Sequence, residues 1–179
     1  MATLRTPFRS DELLDEVGSP ASDNDRVTGL GTHDTLMFDL TAALEPGSPP
    51  SVIALFVLEG SAEHRNDFGS KANDELVARL AELFEALVGP AGSCYRPREH
   101  EFCALVTGSF DEVTTRMLEI EDALNAHEAS TAVNVRFGAA SLPDEADDPV
   151  DLLMLADERL AMRSETRESR ERRQSSRQP

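Results

Sequence analysis

Cysteine, lysine and long apolar runs are scarce in this chain of 179 residues, which holds two cysteines and a single lysine, Lys71. Two thiols, Cys94 and Cys103, cannot build the disulfide framework of a small secreted domain. Their spacing, without neighbouring Cys or His partners, does not make a zinc site. No apolar stretch approaches the roughly 20 residues that a membrane-spanning helix needs. The opening residues, MATLRTPFRSDELLDEV, have no apolar core of a secretory signal. These absences imply a reducing, cytoplasmic setting. There is no Gly-x-x-x-x-Gly-Lys loop to cradle phosphates, no internal repeat, and no carboxylate pair spaced with His33, His64 or His127 as a zinc site requires.

Positive charge is scarce as well. Seventeen Lys and Arg face 34 Asp and Glu, for a formal charge of -17. The last stretch, RSETRESRERRQSSRQP, holds six Arg and three Glu, so the 162 residues before it carry -20. Such a body repels nucleic acid and anionic membrane, and neither is expected as a partner. The basic tail reads as a solvated, disordered end, with contact to an acidic partner as the alternative.

Along the chain, residues 1–24 are polar and are read as a flexible segment, with one short helical hint at SDELLDEV, where Ser10 can cap. THDTLMFDLTAALE spaces Leu36, Met37, Leu40, Ala43 and Leu44 as one helix face. SVIALFVLE (51–59) is a continuous apolar run of β-formers, the pattern of a central strand buried on both faces. KANDELVARLAELFEALVG is an amphipathic helix ending at Gly89-Pro90. CYRPREHEFCALV reads as a hairpin whose turn carries Arg98, Glu99, His100 and Glu101, where Gly, Asn or Asp is usual. SFDEVTTRMLEIEDALNAH is a helix, STAVNVRFGAAS a strand, and DPVDLLMLADERLAMR the closing helix. The expected fold is α+β, a ferredoxin-like βαββαβ core over residues 25–165, followed by a disordered Arg-rich tail, 166–179.

Five stretches, in order, resemble the landmarks of the GGDEF domain family of diguanylate cyclases. DRVTGLGTHDTL resembles the family's entry motif through Thr28-Gly29-Leu30. FGSKANDELVARLAELF resembles its Tyr-Gly-His-x-x-Gly-Asp segment through Phe68, Gly69, Asp74 and Leu76. YRPREHEFCALV resembles the Arg-Tyr-Gly-Gly-Asp-Glu-Phe signature through Arg96, Glu101 and Phe102. VNVRFGAASLP matches through Gly138, and DLLMLADERLAMRS through Ala156, Asp157 and Leu160. The resemblance spans about residues 25–168 and implies the nucleotidyl-cyclase-like version of the βαββαβ sheet.

It also implies a chemistry. The family joins two GTP molecules into cyclic di-GMP, each 3'-hydroxyl attacking the other's α-phosphate with metal ions neutralising charge. Carried onto this chain, the strand metal acid falls on Val57 and the second acid of that strand on Glu59. The metal acid of the signature turn falls on His100, and imidazole is a poor Mg2+ ligand. The two glycines become Arg98 and Glu99, which add bulk and charge where backbone should approach phosphate. The phosphate-binding Lys falls on Ala62. The C-terminal Lys and Arg fall on Ser164 and Glu168, with Arg167 one position away. Of the guanine readers one becomes Arg65, with Asn66 off by one, and Asp74 is kept. The product-feedback motif, expected near 89–92, reads GPAG.

The resemblance therefore implies a degenerate site: a vestigial turn, Arg98, Glu99, His100, Glu101 and Phe102, and vestigial nucleotide contacts at Glu59 and Asp74, with no metal, no cofactor and no catalytic residue. Each residue alone has a plainer reading. Asp74 is a helix-terminal charge, Glu59 a solvated strand end, His100 and Glu101 exposed turn residues, and Phe102 and Cys103 alternating strand residues. The expected function is that of a catalytically inactive regulatory or protein-interaction module, compatible with a homodimer. The alternatives are an active diguanylate cyclase or other nucleotide-using enzyme with a rearranged site, and a nucleotide sensor without turnover.

Overall fold

The apolar run at 51–59 becomes the strand on which everything else is hung. In the computed structural model the described residues are 24–128 and 131–175, with backbone alone beyond residue 163. The elements follow as α1 (His33–Ala43), β1 (Ser51–Glu59), α2 (Ser61–Phe68), α3 (Ser70–Val88), a 3-10 turn (Gly89–Ala91), β2 (Gly92–Arg98), β3 (Glu101–Thr107), α4 (Phe110–His127), β4 (Asn134–Leu142) and α5 (Pro149–Ser175). Every expected element within 25–165 is present, and α2 is additional. Helix α5 runs on to Ser175, so residues 166–175 are helical where the sequence reading ends the domain at 165. The expected flexible segment falls, but for Asn24, on residues 1–23, which lie outside the described residues, as do 176–179.

The sheet has the order β2-β3-β1-β4, and each neighbouring pair is antiparallel. Strand β1 is thus central, flanked by β3 and β4, which is why it is apolar on both faces. Alternation along the strands sorts the core into two layers. Val52, Ala54, Phe56 and Leu58 of β1 face α3 and α4, and Ile53 and Leu55 face α1 and α5. In the first layer Phe56 lies edge-on to Phe84 at 5.0 Å and stacks on Phe137 at 5.2 Å. Phe84 in turn stacks on Phe102 at 5.4 Å.

In the second layer α5 crosses β4 very closely. A Cβ added at Gly138 would lie 2.0 Å from the Ala156 carbonyl oxygen and 2.5 Å from the Leu160 nitrogen. Only a residue without a side chain lets two backbones meet there.

Strand β4 is a sheet edge, and most of its outward backbone groups are taken by side chains. Asn125 bonds both Val135 N–H and Val135 C=O, at 2.7 and 2.9 Å. Glu121 accepts from Phe137 N–H and Arg163 donates to Phe137 C=O, at 3.0 and 2.6 Å. Arg159 donates to Ala139 C=O at 2.7 Å, and Glu145 accepts from Ser141 N–H at 2.8 Å. Glu145 and Arg159 also form an ion pair.

That pair has a pH signature. The hydrogen bond from Arg159 is the largest influence on Glu145 and, against partial burial, holds its carboxyl at about 2, well below the ordinary 4.5. A carboxyl with a depressed folded pKa stabilises the fold above its unfolded value and stops doing so as pH falls through the folded one. Denaturant midpoints of the wild type are expected to drop between about pH 4.5 and 2. Glu145→Gln should flatten part of that drop. Parallel pH profiles of the two proteins would count against this contact.

Candidate functional site

The β2–β3 hairpin closes on two residues, Glu99 and His100, with Arg98 and Glu101 as its last paired residues. No non-glycine residue among those described has a positive φ. The usual two-residue hairpin turns require one. Here a register irregularity between Tyr95 and Arg98 adjusts the strand instead, at the place where Pro97 removes a donor. This is how bulky charged residues occupy a tight turn.

Arg96 anchors the turn from below. Its side chain is buried and donates to the Glu99 carbonyl and to Asp25 Oδ1, both at 2.9 Å. Asp25 also accepts from Thr28 N–H at 2.9 Å and from the Thr28 hydroxyl at 2.8 Å. Burial pushes the Asp25 carboxyl up, but the hydrogen bonds from Arg96 and Thr28 outweigh it and hold the carboxyl below its usual range. The entry loop and the hairpin are therefore one unit. On the other side, Leu58 N–H donates to His100 C=O at 2.8 Å, fixing the turn against the end of β1.

Helix α2 meets the hairpin through polar contacts. Arg65 donates to Glu99 Oε2 at 2.8 Å. His100 Nδ1 lies 3.1 Å from Ser61 Oγ, and Ser61 Oγ–H donates to Asn73 Oδ1 at 3.1 Å. Because the Ser61 proton goes to Asn73, Ser61 accepts from His100, which places a hydrogen on Nδ1. His100 Nε2 is 3.6 Å from Glu99. Arg98 and Glu101 pair across the hairpin at 2.9 Å.

At the end of β1, Glu59 lies 3.1 Å from Arg136 Nε of β4, an ion contact rather than an aligned hydrogen bond. Val57 stands in register with Glu101 on one side and Arg136 on the other.

The residues expected to form the turn are thus gathered, but with unequal exposure. Arg98 and Glu99 have side chains 74% and 65% exposed, whereas Glu101 is 15% exposed. The reading of His100 and Glu101 as exposed turn residues does not hold: His100 is half-buried against α2, and Glu101 is drawn inward by its place in β3. Phe102 is buried in the phenylalanine cluster. Asp74 is exposed on α3, and no hydrogen bond among the described residues ties it to the turn. Gly89–Gly92 form the 3-10 turn and the start of β2. Ser164, Arg167 and Glu168 lie along α5. Sequence reading did not single out Ser61, Asn73, Arg136 or the Asp25–Arg96 pair. The one signal available was the density of charge, which does not identify partners.

A family model for the diguanylate cyclase GGDEF domain matches residues 22–170. No match was found among curated proteins. Among solved structures, the chain resembles a sensory box/GGDEF family protein from Caulobacter crescentus, with a TM-score of 0.69, 20% identity, and coverage of 80% of this chain and 99% of that one. It resembles the FimX GGDEF domain from Pseudomonas aeruginosa, with a TM-score of 0.69, 23% identity, and coverage of 78% and 92%. It also resembles the diguanylate cyclase SiaD from Pseudomonas aeruginosa, solved with its activator SiaC, with a TM-score of 0.72, 16% identity, and coverage of 87% and 62%.

Proposed function

The chain belongs to the GGDEF domain family of diguanylate cyclases, and on that premise we propose that it is a catalytically inactive, cytoplasmic member that works as a regulatory protein-interaction module in cyclic di-GMP signalling. The Arg65–Glu99 ion pair carries this reading. By the family resemblance, Arg65 stands where a guanine reader belongs and Glu99 where a glycine admits phosphate. Two departures from the family pattern bond to each other across the ground between α2 and the hairpin.

The remaining positions support it. A hard divalent cation wants several oxygen ligands. Of the three positions that the resemblance assigns to acids, Val57 offers none and His100 offers an imidazole that is bonded to Ser61. Glu59 offers a carboxylate that faces Arg136. These residues do not fit such an ion, so no step is drawn through one.

A protein partner fits the same surface. Arg98 and Glu99 present both signs of charge on a hairpin fixed by Arg96, and paired charges set specificity more than affinity. The similar cyclase SiaD was solved with its activator.

The test is incubation with GTP and Mg2+ or Mn2+, with nucleotides separated by chromatography. No cyclic di-GMP above a no-protein control is expected. Val57→Asp with His100→Asp should stay silent too, because Arg98, Glu99 and Arg136 remain. Clear product from the wild type overturns the reading. Exposed Asp74, a residue kept from the family pattern, favours one second reading, a sensor that binds nucleotide without turnover. Calorimetric titration with GTP, GDP and cyclic di-GMP separates it, since heat of binding without product is its signature.

A further inference from the structure

The two edges of the sheet are not alike. Strand β4 is capped by side chains, whereas β2 is covered only in part. The entry loop touches β2 through a single parallel bridge, Gly31 beside Tyr95. There Gly31 N–H donates to Cys94 C=O at 3.1 Å and Arg96 N–H donates to Gly31 C=O at 2.7 Å. A strand residue turns its N–H and C=O to the same side, and neighbours alternate. Cys94 N–H and Gly92 C=O therefore face outward as well, and among the described residues no loop or helix backbone group bonds them. They border a cleft of about 610 Å3 between the entry loop and the end of α3. Its lining includes the carboxylates of Asp39 and Glu85 and no basic residue. Asp39 accepts from the Tyr95 hydroxyl at 2.6 Å, and Glu85 is exposed.

We propose that the β2 edge at Gly92–Cys94 docks an extended basic peptide of a partner protein, which adds to the sheet as a further strand. Hydrogen bonds to Cys94 N–H and Gly92 C=O set its register, as in other strand-addition complexes. A Lys or Arg side chain reaching Glu85 sets the sign of charge that is accepted. The edge already pairs with one residue of loop backbone at Gly31, next to the outward groups of Gly92 and Cys94. A chain of charge -17 disfavours an acidic peptide there. The proposal stands apart from whether the chain turns over nucleotide.

The probe is a fluorescent decapeptide of alternating Arg and Thr, with a Glu-Thr counterpart, titrated by anisotropy against the full chain. The Arg peptide is expected to bind saturably and the Glu peptide not to bind. Glu85→Arg should weaken binding by about tenfold, while the same charge reversal at exposed Asp122, on α4, changes it by less than about twofold. The second readout is amide exchange: the Cys94 N–H should slow when peptide is added. Cys94→Pro, which removes an outward donor and no bond to β3, should abolish binding. Absence of saturable binding, equal weakening by Asp122→Arg, or unchanged Cys94 exchange each overturns the proposal. The exchange and Glu85 measurements decide the matter even if the proline variant fails to fold.

Discussion

Phe56→Ala is expected to lower the unfolding free energy by about 3–5 kcal/mol. Phe56 is fully buried at the centre of β1, with Phe102 and Phe137 as its register partners on the two flanking strands. The ring touches Phe84 and Phe137 directly. Truncation removes both ring pairs, each worth about 0.5–1.5 kcal/mol beyond the area they bury. It also leaves a hole whose walls, two sheet neighbours and α3, cannot all move in. Against a typical total of about 5–15 kcal/mol, that is a large fraction. Urea titration followed by circular dichroism measures it through the midpoint at constant slope. A loss under about 1.5 kcal/mol would mean that the aromatic row repacks, which the stacking described above does not anticipate.

Gly138→Ala is the second. Adding one methyl group ordinarily costs about 1–3 kcal/mol in a packed core, and here the obstacle is backbone rather than a yielding side chain. The Ala156 carbonyl and Leu160 nitrogen belong to a helix held by Arg159, Arg163 and the buried Leu152 and Ala156. Either α5 moves off β4 or the strand bends, and the capping bonds from Arg159 and Arg163 go with it. The expected result is a cost at the top of that range and faster amide exchange along β4. A melting temperature equal to the wild type would show that α5 does not seat where Gly138 places it.

Much of this fold was legible because its signals are local. SVIALFVLE has no polar residue between Ser51 and Glu59, and a strand can be that apolar only if both faces are covered. The helices α3 and α4 carry their apolar residues at helical spacing, so each reveals the face it buries. Helix α2 escaped notice because SAEHRNDF has no such face. Ser61 is its one buried residue, and its ties are to Asn73, Glu99 and His100, distant in sequence. The candidate residues could be named by motif position, but their contacts could not. Motif register located Arg65, Glu99, Glu59 and His100, yet nothing in a linear pattern says that Arg65 reaches Glu99 or that Arg136 comes to Glu59. Those pairings arise from the antiparallel register of β1 with β4 and from the seating of α2 against the hairpin. Exposure was misjudged at Glu101 for a related reason: the turn is two residues long, so Glu101 already belongs to a strand.

The side-chain caps along β4 have a consequence for how the protein behaves when crowded. A sheet with two bare edges can be extended from both sides, and each added copy offers a new bare edge, so growth need not stop. Here Asn125, Glu121, Arg163, Arg159 and Glu145 have already taken most of the outward groups of one edge. In the language of polymer chemistry the described fold is closer to a monofunctional unit: its β4 edge is suited to ending a chain of strands rather than propagating one.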